Sequence, residues 1–203
     1  NFQILSKDHR TYTLAIDLFR SLNVPFKSLH YSKELFERFP SFFDAYARYS
    51  QELYANKEYE ESLRVAKLGL AKFPKNHWIL IAALMASKAK QDYNSAIKFG
   101  NYLIEVEPSF KQTYGPLSEC YRRLQDLESA LKVLLKGLQQ VNITIAYLEA
   151  ILDLYLLRSD YNGYSQFLFL SASKYPQHAD YISKRLLWLG NFSPPQRSAS
   201  SRK

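Results

Sequence analysis

The chain has 203 residues, 47% hydrophobic and 15% aromatic, and carries 27 Lys and Arg against 19 Asp and Glu, a formal charge of +8. That apolar content builds a packed core and excludes a disordered chain, while six Gly and scarce alternating patterns argue against a sheet. The single Cys120 excludes an intrachain disulfide, no Cys/His cluster has metal-ligand spacing, and the longest apolar run, Trp78–Ala86, is far shorter than the ~20 residues of a bilayer span.

In chain order, the sequence is punctuated at one period. Pro40, Pro74 and Pro108 step by 34 residues, Pro176 lies two steps further on, and Asn142 takes the rung between. A fixed period of this kind decides an architecture before any other feature. It divides the chain into units at 9–42, 43–76, 77–110, 111–144 and 145–178, read as one solenoid over 1–192 that ends in a capping helix at 179–192. A flexible basic tail follows at 193–203. The register holds inside each unit. Sixteen residues ahead of the rungs stand Val24, Glu58, Asp92, Asp126 and Asp160. Four positions later come Ser28, Ser62, Ala96, Ala130 and Tyr164, mostly small.

Each unit reads as two helices. In the second unit, Phe43, Tyr46, Tyr49, Leu53 and Tyr54 recur by threes and fours, which predicts one apolar helix face. Asn56–Tyr59 is the turn. Acidic residues sit near the start of the helix that follows, where the helix dipole favours them. Leu63, Ala66, Gly69 and Leu70 form the stripe of that helix, and Pro74 ends it. Gly69, Gly100 and Gly137 weaken a helix and are expected where a neighbouring helix comes close.

This pattern resembles the tetratricopeptide repeat family over residues 9–178. The family's first large position is Tyr46, Leu80, Tyr114 and Leu148 here, and its second is Tyr49, Ala83, Leu117 and Ile151. Leu53, Ser87, Tyr121 and Tyr155 come next, followed by the small residues and the rung. Leu84 and Leu152 stand where the family prefers a small residue, and Tyr164 stands where it has Ala. Pro116 falls inside a first helix and predicts a kink in the fourth unit. The resemblance implies an all-α, right-handed solenoid of stacked antiparallel helix pairs, because one pair alone cannot bury its apolar face. First helices then line a concave side.

No signature of a nucleotide, metal or hydrolase site is present, and His9, His30, His77 and His178 are not placed beside any nucleophile. The expectation is a chain without enzymatic activity and without cofactors. Of the +8 charge, +3 lies in the tail at Arg197, Arg202 and Lys203. The remaining +5 is spread over helices and reads as solvated faces rather than a nucleic-acid footprint.

Projecting the resemblance onto the concave side places Trp78, Ile81 and Met85 in one apolar strip. Tyr54 flanks it, with Lys88, Arg122 and Arg123 beside it. Apolar anchors with neighbouring cations suit a peptide or helix of a protein partner, acidic in part. The Lys and Asn pattern by which some relatives clamp a chaperone's terminal carboxylate is not matched. The rival readings are an accessory repeat domain of a larger enzyme or transport complex, and a basic surface for RNA or anionic lipid. Self-association is left open. With no secretory signal in view the chain reads as cytoplasmic or nuclear, and its first residue, Asn1, fits a fragment.

Overall fold

The computed structural model describes residues 8–140 and 143–190. The tail expected at 193–203, and the end of the capping helix beyond Gly190, lie outside them. Eleven α-helices and two short 3-10 turns make up the secondary structure of the described residues, with no strand among them. They form two compact units, Asn1–Val141 and Asn142–Lys203. The division falls inside the span read as one solenoid, at the rung where Asn142 replaces Pro.

In the first unit α1 (His9–Ser21) pairs with α2 (Pro25–Arg38), and α3 (Phe43–Ala55) with α4 (Tyr59–Lys72). Next, α5 (His77–Ala89) pairs with α6 (Tyr93–Val106), and α7 (Tyr114–Arg123) with α8 (Leu127–Gly137). Further, α2 packs on α3, α4 on α5 and α6 on α7, and α3, α5 and α7 touch in sequence. This is the expected all-α stacking of helix pairs, with breaks at the predicted rungs.

One backbone device recurs in every pair. Asn23, Lys57, Gln91, Gln125 and Ser159 adopt φ of 54°, 66°, 61°, 62° and 55°, at the same 34-residue spacing. The next residue's N–H reaches back to close the first helix: Glu58 to Leu53 O at 2.9 Å, Asp92 to Ser87 O at 3.0 Å, Asp126 to Tyr121 O at 3.0 Å. This is a left-handed helix stop made without glycine. Three of the acids then cap the second helix. Oδ1 of Asp92, Asp126 and Asp160 accepts the N–H of Ser95, Ser129 and Gly163 at 3.1, 3.0 and 2.8 Å. Glu58 makes no such side-chain bond.

The core runs through the pairs. Tyr46, Leu53, Val65, Ala66, Ile79, Ala83 and Ala86 are buried together, and Leu80, Leu84, Ala96, Leu103 and Cys120 continue the core. The expected close approaches are seen at two glycines. A Cβ on Gly69 would lie 2.8 Å from Tyr46 Cβ and 3.1 Å from Ile79, and one on Gly100 would lie 2.8 Å from Leu117 Cδ1.

The expected kink at Pro116 is not how the fourth pair accommodates its proline. Lys111–Thr113 forms a 3-10 turn and α7 begins only at Tyr114, so Pro116 sits in its first turn. There the missing N–H has no helical acceptor to lose, and the fixed φ suits the helix.

In the second unit α10 (Tyr161–Lys174) packs on α9 (Ile145–Leu157) and on α11 (Ala179–Gly190). Tyr164, standing where the other pairs are mostly small, is fully buried, its ring 6.0 Å from that of Trp188.

Candidate functional site

The most apolar first helix of the first unit, α5, supplies the site. Asn76 caps it by accepting the Ile79 N–H at 3.1 Å. Ile79, Leu80, Ala82, Ala83, Leu84 and Ala86 are spent on the core. Trp78, Ile81 and Met85 fall at i, i+3 and i+7, one line along the helix. They form one wall of a cleft of ≈ 180 Å³, whose remaining lining is Gln51 and Tyr54 of α3, Ala82, and Phe110 and Gln112 ahead of α7. Trp78 is 41% exposed, and the ring of Phe110 stands nearly perpendicular to it at 5.1 Å. Ile81 is buried at the cleft floor and Met85 is half-buried. The cleft is thus a stiff aromatic corner beside a flexible thioether, with two side-chain amides at its edge.

Four sequence-predicted residues, Tyr54, Trp78, Ile81 and Met85, therefore meet. Lys88, Arg122 and Arg123 are not among the lining residues. Arg122 donates from Nε at 2.7 Å and Nη2 at 2.9 Å to Glu119, and Arg123 Nε donates to the same carboxylate at 2.8 Å. Burial pushes the Glu119 carboxyl up, but the bonds from Arg122 and Arg123 outweigh it and hold the group below its ordinary value. Charge that the sequence pattern offers to an acidic partner is engaged within α7. The spacing of three and four residues announces it.

Phe110 is the aromatic lining residue that the sequence reading missed, and Ala82 a small one. A signal existed: His77 and Phe110 repeat the register of His9 and Phe42, two units earlier. His9 stacks on Phe42 at 4.2 Å between centroids, and His77 meets Phe110 at 4.9 Å. Cys120 is buried, and burial pushes its thiol up to about 11, so it stays protonated and unreactive at neutral pH.

A second cavity of ≈ 310 Å³ is lined by Arg20, Asn23, Val24, Pro25, Ser28, Gln51, Glu52 and Ala55. Its buried carboxylate is already engaged. Arg20 holds Oε1 of Glu52 through Nε at 2.8 Å and through Nη2, and Ser28 Oγ donates to Oε2 at 2.5 Å. The group ties α1, α2 and α3 together.

Helix pairs at a 34-residue step, each closed by the same left-handed turn and stacked through small residues, make this a tetratricopeptide-repeat fold. No family model and no curated protein matches the sequence. Solved structures share the fold at low identity. PilW, a widely conserved type IV pilus biogenesis factor, superposes with a TM-score of 0.72 at 13% identity, over 89% of this chain and 83% of its own. MamA from Desulfovibrio magneticus RS-1 gives 0.71 at 14%, over 87% and 99%. A thermophilic TPR protein of Thermus thermophilus gives 0.65 at 13%, over 91% and 100%. Among the described residues no helix is long and apolar enough to cross a membrane.

Proposed function

We propose that the chain is a non-enzymatic scaffold that holds a protein partner, a peptide or helix, in the cleft between α3, α5 and the start of α7. The observation that carries this reading is the cleft itself. Tyr54, Trp78, Ile81, Met85 and Phe110 present apolar surface beside the amides of Gln51 and Gln112. Such a site takes one bulky apolar side chain of a partner and leaves the amides for its backbone. Aromatic anchors beside an adaptable Met supply most of the affinity at sites of this kind. The repeat fold of the neighbours supports a scaffold role as well.

Affinity capture at low and high salt tests the reading. A cleft partner persists at high salt, whereas one held by the basic surface, RNA or anionic lipid, is lost. Met85→Ala and Trp78→Ala variants that keep the parent's melting temperature should each weaken the captured partner by ~1–3 kcal/mol. Arg122→Glu with Arg123→Glu should change affinity little, since both cations already share Glu119. If folded Met85→Ala and Trp78→Ala proteins bind as tightly as the parent, the cleft is not the binding site.

A further inference from the structure

The cavity beside Glu52 has its origin in the repeat. The second helices of the other pairs open with a large residue: Tyr59 on α4, Tyr93 on α6, Leu127 on α8 and Tyr161 on α10. At the same register α2 opens with Pro25, and Val24 stands where those pairs have an acid. In the second pair the ring at this position is packed. Tyr59 lies 5.4 Å from Tyr54 of α3, ring centroid to ring centroid. Tyr54 stands 34 residues after Arg20, and Tyr59 34 after Pro25. In the first pair a guanidinium thus replaces one ring and a proline the other. The result is a cavity of ≈ 310 Å³ with Arg20, Val24, Pro25 and Gln51 on its walls.

The way Arg20 is held selects what can enter. Its Nε, at 2.8 Å, and its Nη2 both turn to Oε1 of Glu52, whose other oxygen accepts from Ser28 Oγ at 2.5 Å. The Glu52 side chain is 4% exposed and that of Arg20 46%. These bonds lie in the guanidinium plane and leave its face to other groups. A carboxylate from outside would compete for the edge that Glu52 holds and would stand beside that buried like charge. An ammonium would meet Arg20 itself. An aromatic ring needs neither the edge nor a counter-charge, because it stacks on the face while the bonds to Glu52 survive. The amides of Asn23 and Gln51 complete the lining and suit a ring with a polar tip.

We propose that this cavity seats an aromatic side chain of the partner, a tyrosine best, with its ring on Arg20 as Tyr59 packs on Tyr54 in the next pair. The proposal rests on the reading of the neighbouring cleft as the partner's site, and Gln51, which lines both, joins the two. The partner then carries two anchors. A bulky apolar side chain enters the cleft beside α5, and an aromatic one enters between α1–α2 and α3.

The test titrates the 203-residue chain with N-acetyl-tyrosine amide, N-acetyl-leucine amide and N-acetyl-glutamate amide, and follows the backbone amide shifts. The tyrosine probe should move Asn23 and Ser28 saturably, with an affinity there about threefold or more above that of the leucine probe. The glutamate probe should not displace it. Arg20→Lys keeps a cation beside Glu52 but has no flat face. It should weaken the tyrosine probe about threefold at Asn23 and Ser28 and leave the shifts at Trp78 and Met85 unchanged. Pro25→Tyr supplies the ring from within the chain and should abolish the response at Asn23 and Ser28. Should Arg20→Lys fail to fold, Pro25→Tyr decides alone, because it leaves the pair of Arg20 and Glu52 intact. Equal binding by the Pro25→Tyr protein, displacement by the glutamate probe, or no saturable shift at Asn23 and Ser28 overturns the proposal. A response confined to Trp78 and Met85 overturns it as well, while the reading of the cleft stands.

Discussion

The pairs α3–α4 and α7–α8 lie two repeats apart and solve the same problem with different atoms. In both, a tyrosine hydroxyl donates to the carbonyl of the rung proline ahead of the pair: Tyr46 to Pro40 O at 2.8 Å, and Tyr114 to Pro108 O at 2.6 Å. Inside the pairs the roles reverse. Ser62 Oγ of α4 donates to Ser50 O of α3 at 2.7 Å, whereas Ser118 Oγ of α7 donates to Ala130 O of α8 at 2.9 Å. Positions 50 and 118 share a register, as do 62 and 130. The repeat preserves a point of contact, and either helix can supply the donor.

The sharpest contrast is between two glycines, Gly69 of α4 against α3 and Gly100 of α6 against α7. On Gly69 a Cβ would meet Tyr46 Cβ, which the helix fixes in place, and Ile79 on the other side. On Gly100 it would meet only the movable end of Leu117. Gly69→Ala should cost about 2–3 kcal/mol by urea unfolding. Gly100→Ala should be near neutral, because the gain in helix propensity of ~1 kcal/mol offsets a small shift of Leu117. Equal losses at the two sites would show that α4 packs no tighter on α3 than α6 packs on α7.

The caps give a smaller contrast. Asp126→Ala should cost about 1 kcal/mol and Glu58→Ala about nothing, since only the shorter side chain reaches the helix N–H. The N–H and hydroxyl of Ser129 hold the Asp126 carboxyl below its ordinary value, and Ser95, hydroxyl first, does the same for Asp92. Their contribution is complete above the unfolded value of ~3.9 and is lost as pH falls through the lower folded values. Unfolding curves from about pH 5 downward should show this loss flattened in Asp126→Ala.

Smallest is the serine exchange. Ser118→Ala should cost about 1 kcal/mol, because Ala130 opposite offers no replacement hydroxyl. Ser62→Ala should cost less than about half of that. The Ser50 hydroxyl has no hydrogen-bond partner among the described residues and can donate across the pair instead. A Ser62→Ala loss as large as that of Ser118→Ala would deny that reserve.

The rungs and apolar positions were legible in the sequence because stacking imposes one register on every pair. Tyr54, Trp78, Ile81 and Met85 were legible as neighbours for the same reason: they project from fixed positions of first helices. The turn residues were not. Lys57, Gln91 and Gln125 carry no mark of a left-handed backbone, which the packed helices on either side impose on them. Pro116 misled because its position relative to the helix start depended on a 3-10 turn that no pattern announced. Phe110 lies between helices, where periodicity is silent, and only its pairing with His77 could have exposed it.

Glu52 occupies a slot that holds Ala86 and Cys120 in the next two units. A carboxylate there is tolerated only against Arg20 and Ser28, and breaking a buried pair of this kind costs far more than the pair contributes. Were α3–α4 to stack on any other pair during folding, Glu52 would lose its guanidinium. Modules of one shape in one chain face a shuffling problem, and this residue labels the second as fit to follow only the first.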